Sequence, residues 1–162
     1  MSESPEPTPR LIPLMLEGPA GPIEALLQER GETPHDVIAV VLHPHPLYGG
    51  TLHNKVAHRV ASTLFSMGAA VLRFNFRGVG KSAGTHDRGI GELADAHVAL
   101  RWLAARHPGA RQWVAGFSFG SWVASRLRHR LQLSACVQSV LHQGLRNGAE
   151  VLYRRKRQPV LA

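Results

Sequence analysis

Three short apolar runs frame this chain: VIAVVL at 37–42, AAVLRFNF at 69–76 and RQWVAGF at 111–117. VIAVVL is β-branched, short and continuous rather than alternating, the mark of a strand buried on both faces. Segments of helical period lie between the runs. In the first, Val56, Val60, Leu64 and Met67 share a face and Gly68 stops the pattern. In the second, IGELADAHVALRWLAARHPG, the residues Leu93, Ala96, Leu100 and Leu103 recur at helical spacing before a Pro-Gly stop. Strands that alternate with helices predict βαβ units around a mostly parallel sheet. Upstream, RLIPLMLEG and GPIEALLQE, joined by GPAGP, read as a hairpin whose prolines suit edge strands.

At 162 residues the chain can bury one sizeable core but not two. Residues 1–10, MSESPEPTPR, are acidic and proline-rich and read as a disordered leader, with neither the basic nor the apolar region of a signal peptide. The longest apolar run is far short of a membrane span, and the single cysteine, Cys136, fits a reducing compartment. A soluble, cytoplasmic protein is the expectation. The net charge of +8 invites a nucleic-acid reading, but its distribution argues otherwise. Residues 1–125 hold 11 Lys and Arg against 10 Asp and Glu, a balance of +1, whereas 126–162 hold 8 against 1, a balance of +7. The excess belongs to an atypical basic tail at 126–162, not to the domain at 11–125.

The last apolar run leads straight into Gly116-Phe117-Ser118-Phe119-Gly120, a G-x-S-x-G sequence, and then into the helix-like SWVASRL. A serine forced onto a sharp strand-to-helix turn needs small neighbours two residues away so that the backbones can pass. The turn lifts the hydroxyl above the sheet, and the following helix N-terminus with the Phe119 N–H favours negative charge on a reacting oxygen. A tight turn without chemistry would explain Gly120 but does not ask for serine.

Two loops accompany this turn. LHPHPLYGGT, at 42–51, follows the first parallel strand, where a serine on such a turn would take a second backbone donor for a reacting oxygen. Its His-Pro pairs and Gly49-Gly50 make a rigid loop that would aim the Leu47 N–H at a carbonyl oxygen, with His45 anchoring the loop. Metal binding by His43, His45, His53 and His58 is the rival, but no carboxylate or cysteine lies nearby in sequence, so no metal site is expected. In the second loop, FRGVGKSAG at 76–84, a phosphate loop would need glycine where Asn75 stands. The dinucleotide pattern is met only loosely by Gly78, Gly80 and Ala83. We read the loop as a turn lining the same pocket, with Arg77 anchoring its carbonyls.

With these motifs placed, the chain resembles the α/β-hydrolase superfamily, in particular small bacterial hydrolases with HPHPLYGGT-x-x-N, FNFRGVGKS-x-G and GFSFG. The resemblance covers about 11–125. It implies a three-layer α/β sandwich with a mostly parallel sheet, incomplete at about strands 1–5 of 8. It also implies Ser118 as nucleophile, the backbone N–H groups of Phe119 and Leu47 as oxyanion hole, hydrolysis of a small-molecule ester or related acyl bond, and no cofactor.

The chain departs from that pattern after the serine. In this fold a carboxylate and then a histidine follow the nucleophile in chain order. Here the only later acid is Glu150, with His129 and His142 before it and no histidine after it. Loss of the base lowers the rate by on the order of 10⁴–10⁶. The strand carrying the serine would also be left as an apolar edge. The charge jump near residue 125 suggests a frameshift, a gene-model error or a truncation. Three readings follow: a serine hydrolase that is weak or inactive as this chain, a non-catalytic remnant that binds a small molecule or partner, or an anionic-surface binder through the basic tail.

Overall fold

The computed structural model describes residues 9–31 and 34–133, and the backbone of two further strands at 135–139 and 151–153. The elements run β1 (Pro9–Gly18), β2 (Gly21–Arg30), β3 (Val37–Leu42), α1 (Lys55–Ser66), β4 (Ala70–Phe74), α2 (Ile90–Arg106), β5 (Arg111–Phe117), α3 (Phe119–Leu131), β6 (Ala135–Ser139) and β7 (Val151–Tyr153). One sheet holds all seven strands in the order β1-β2-β4-β3-β5-β6-β7. The β1–β2 hairpin is antiparallel and joins β4 in the antiparallel sense. From β4 through β3 and β5 to β6 the sheet is parallel, and β7 returns antiparallel to β6.

The alternation within VIAVVL sorts the core into two layers. Ile38, Val40 and Leu42 face a large cluster built from α2 (Ala96, Ala99, Leu100, Leu103) and α3 (Val123, Ala124, Leu127). Ala39 and Val41 point the other way, into a smaller cluster with Ala57, Ala61, Leu64 and Phe65 of α1. The sheet is therefore sandwiched between α1 and the α2–α3 pair, and β3 is buried on both faces as its composition requires. Helix α1 is started by Asn54, whose side-chain oxygen accepts from the N–H groups of Val56 and Ala57 at 3.0 and 3.2 Å.

Several expectations are corrected here. The buried face of α1 is Ala57, Ala61, Leu64 and Phe65; Met67 is 67% exposed, because the small alanines let the helix lie close to the sheet and rotate the longer side chains outward. β1 begins at Pro9, so the last two residues of the expected leader pair with Arg30 and Glu29, while 1–8 lie outside the described residues. β5 is not an edge: β6 pairs with it in parallel from Trp113↔Ala135 to Phe117↔Ser139. The ambiguous LSACVQSVLHQGL is a strand over 135–139, and α3 runs across position 125 to Leu131. Glu150, His142, the Cys136 side chain and the YRRKRQPVLA end beyond Tyr153 lie outside the described residues.

Candidate active site

β3 is the topological switch point of the sheet, since the chain crosses from it to β4 on one side and β5 lies on the other. Crevices at the carboxyl ends of such strands are where open α/β sheets bind ligands. The loop after β3 and the turn after β5 both open there, on the paired residues Leu42 and Gly116.

Ser118 is the single residue between β5 and α3. Its φ of 54° and ψ of −120° place a non-glycine residue in the left-handed half of conformational space, strain of about 1–3 kcal/mol that only a rigid surround maintains. Ser118 is exposed while Gly116 and Gly120 on either side are buried. A methyl group on Gly116 would meet Ser121 N at 2.6 Å, and one on Gly120 would meet the His43 carbonyl oxygen at 2.6 Å. The two glycines are thus the contact between β5, α3 and the end of β3. The Ser118 carbonyl accepts from the Ser121 N–H at 2.9 Å and from the Ser121 hydroxyl at 2.7 Å, which fixes the first turn of α3. Phe119, as first helical residue, has an N–H with no acceptor inside the helix.

The loop after β3 is organised by its two histidines. His45 binds three N–H groups of its own loop: its carbonyl accepts from Tyr48 and Gly50, both at 3.1 Å, and its Nδ1 accepts from Leu47 at 3.2 Å. The Leu47 N–H, expected to face a substrate, here rests on the His45 ring. Burial, reinforced by repulsion from His86 and opposed by Glu92, lowers the His45 pKa and favours the neutral ring that can accept this bond. Gly49 closes the short Pro46–Tyr48 turn in the left-handed conformation (φ 79°). His43 lies beneath. Its Nδ1–H donates to the Pro44 carbonyl at 2.6 Å and its Nε2 accepts from the Phe76 N–H at 3.1 Å, which ties the loops after β3 and β4 together. Burial pushes its pKa down to about 4. Neither histidine joins a metal cluster, and among the described residues no group of three His, Cys, Asp or Glu gathers as metal ligands would.

The glycine-rich loop is fastened by carboxylates. Arg77 does not anchor backbone carbonyls: its guanidinium grips Asp95 of α2 at 3.0 and 2.7 Å, and its own N–H donates to the same carboxylate at 3.1 Å. Asn75 accepts from the Leu52 N–H and donates to Glu24, each at 2.8 Å, so the residue that spoils a phosphate-loop pattern joins the β2, β3 and β4 ends. Glu92 is fully buried and accepts from the N–H groups of Asp87 at 2.9 Å and Gly89 at 2.7 Å. Its Oε1 lies 2.7 Å from His86 Nδ1. Burial alone would raise its pKa, but these N–H groups and His86 more than offset it and hold the carboxyl below its ordinary value.

An aromatic ledge borders Ser118. The His45 ring meets Tyr48 at 4.8 Å, His86 at 4.9 Å and Phe119 at 4.8 Å between centroids, and Trp122 stacks on Phe119 at 5.9 Å. Sequence reasoning missed His86, Trp122, Glu92 and Asp95 as parts of the site. Only Trp122, an aromatic on the helix just past the serine turn, left a signal that could have been used. Among the described residues Ser118 Oγ has no hydrogen-bond partner, and His129 lies exposed in the last turn of α3.

This is the α/β-hydrolase fold, present here as an incomplete three-layer sandwich, and its structural neighbours include an α/β serine hydrolase and a serine hydrolase homologue. An α/β serine hydrolase of Xanthomonas campestris, described as lacking a lid, is 37% identical with a TM-score of 0.74 over 80% of this chain and 60% of its own. An α/β serine hydrolase homologue of Coxiella burnetii is 35% identical with a TM-score of 0.75, over 78% of this chain and 61% of its own. In sequence, an uncharacterized protein of Rickettsia prowazekii is 46% identical over 115 residues, which are 70% of this chain and 48% of that protein. The chain thus spans about half the length of this curated relative. No protein-family model matches the chain. Among the described residues no helix is long and apolar enough to cross a membrane.

Proposed function

We propose that this chain carries the nucleophile and oxyanion hole of a serine-dependent α/β hydrolase acting on small-molecule esters or related acyl bonds. The observation that carries this is Ser118 itself: an exposed hydroxyl on a strained turn held between two glycines that tolerate no side chain. The Ser118 oxygen would attack the acyl carbon while the carbonyl electron pair moves onto oxygen. That oxyanion would be held by the Phe119 N–H and by the Leu47 N–H once it turns from the His45 ring. Collapse then expels the alcohol, and water releases the acyl group from the serine. One oxyanion donor contributes about 2.7–4 kcal/mol to such a step.

The serine proton needs an acceptor and the leaving alcohol a donor. No carboxylate–histidine pair follows Ser118 in chain order within these 162 residues, so the chain by itself is a weak or silent hydrolase. The single cysteine supports a cytoplasmic setting. The test is hydrolysis of an activated 4-nitrophenyl ester by the chain and by Ser118→Ala. A low rate that disappears in Ser118→Ala is expected. A rate unchanged in Ser118→Ala overturns serine catalysis, and no rate in either favours a chain that binds without catalysis.

A further inference from the structure

Helix α3 leaves the nucleophile with a pattern the hydrolytic reading does not use. Trp122 and Arg126 stand at i and i+4 in α3, so they share one face about 6 Å apart, and Phe119 begins the helix directly after Ser118. Trp122 is 41% exposed and Arg126 is exposed. The Arg126 guanidinium carbon lies 4.2 Å from the Trp122 ring centroid, and the Trp122 and Phe119 rings are stacked. A methyl group on Gly89 would overlap the Trp122 ring, so the N-terminus of α2 abuts it, beside Ile90, which is 72% exposed. Leu47 and Tyr48, 68% and 85% exposed, belong to the loop of His45, whose ring meets both Tyr48 and Phe119. Four large exposed hydrophobic side chains therefore lie on the segments that meet at Phe119 and Trp122.

Beyond its contact with the Trp122 ring, the cation at the end of this ledge has no partner among the described residues. Arg128, His129 and Arg130 complement the carbonyl end of α3, but Arg126 stands a turn earlier. Among the described residues it has no carboxylate partner. The carboxylates of the neighbouring α2 are engaged, Glu92 with N–H groups and His86, Asp95 with Arg77.

We propose that this face is an acyl-chain subsite selecting substrates whose apolar chain ends in an anionic group: the ester carbonyl at Ser118, the methylenes along Phe119, Trp122 and Ile90, and the charge on Arg126. The assignment rests on the reading of Ser118 as the nucleophile, and it is tested by binding, which needs no turnover. Monomethyl suberate and dimethyl suberate are titrated into the Ser118→Ala variant, following the Trp122 indole N–H resonance, assigned with Trp122→Phe. The monoester is expected to bind about two- to fivefold more tightly than the diester, the advantage of an exposed ion pair. The advantage should shrink with added salt and vanish in Arg126→Gln, a surface change that leaves the fold intact. Equal binding of the two ligands, an advantage that survives Arg126→Gln, or a Trp122 signal unmoved by either ligand overturns the subsite. Failure of the nucleophile reading appears elsewhere, as ester hydrolysis that persists in Ser118→Ala.

Discussion

Ser118 is strained because its hydroxyl must stand clear of both strand and helix, and this strain makes a prediction that separates its two roles. Ser118→Gly removes the conflict between a side chain and a φ of 54°, so it should raise stability by about 1 kcal/mol in denaturant unfolding while abolishing any serine-dependent rate. Ser118→Ala should abolish the rate without that gain. The opposite holds two residues away: Gly120→Ala drives a methyl group into the carbonyl at the end of β3 and should destabilise by about 1–3 kcal/mol. His43 supplies the residue-scale pH dependence. Its folded pKa is depressed from 6.5 to about 4, so the unfolded chain binds the proton more readily. The stability it contributes is complete above pH 6.5 and is lost as the pH falls towards 4, by up to about 3 kcal/mol. Urea unfolding across that range measures it, and His43→Asn should flatten the slope.

The elements rest on fasteners between segments distant in the chain. Glu92 is the clearest, a buried carboxylate that starts α2 and holds the 87–89 backbone against His86. Glu92→Gln should cost about 1–3 kcal/mol, and hydrogen exchange at the Asp87 and Gly89 amides should accelerate with it. Such fasteners explain what could be read from the sequence and what could not. VIAVVL was legible to the residue because a continuous apolar run of that length has one economical place, the middle of a parallel sheet, and RQWVAGF because its apolar stretch leads straight into the serine turn. The face of α1 was misjudged because hydropathy ranks Val56 and Met67 above Ala57 and Ala61, whereas close packing on a sheet favours the smaller residues. β6 was ambiguous because LSACVQSVL suits either a helix or a strand, and pairing with β5 decides. The serine and its glycines were legible because sterics confine them to one short motif. Asn75, Asp95 and Glu92 were not, since each acts through a partner whose position only the folded sheet determines.

At the scale of the molecule, charge is buried where the layers meet. Glu29 of β2 faces the core and is gripped by Arg106 at the end of α2, with Nε at 2.9 Å and His107 nearby. Arg106 holds its carboxyl below the ordinary value; Glu24 is lowered chiefly by the Lys81 N–H, and Glu92 is lowered as well. A carboxyl depressed on folding stabilises fully above its unfolded pKa, so the contribution of these three is present above about pH 4.5 and lost as the pH falls below it. Acid unfolding should therefore be steep below that point, and Glu29→Gln should make it shallower, as circular dichroism would record.

The register Leu42↔Gly116 brings together two strand ends that are 74 positions apart along the chain. Neither the loop after β3 nor the turn after β5 forms a crevice alone, and β5 reaches β3 only after α1, β4 and α2 have been laid down between them. Such a long-range closure is among the slower events in folding, because the entropy of the intervening loop must be lost before the contact forms. The crevice thus doubles as a clock. In a refolding experiment, ligand binding beside Ser118 should appear later than helical signal, at the moment the central strands dock.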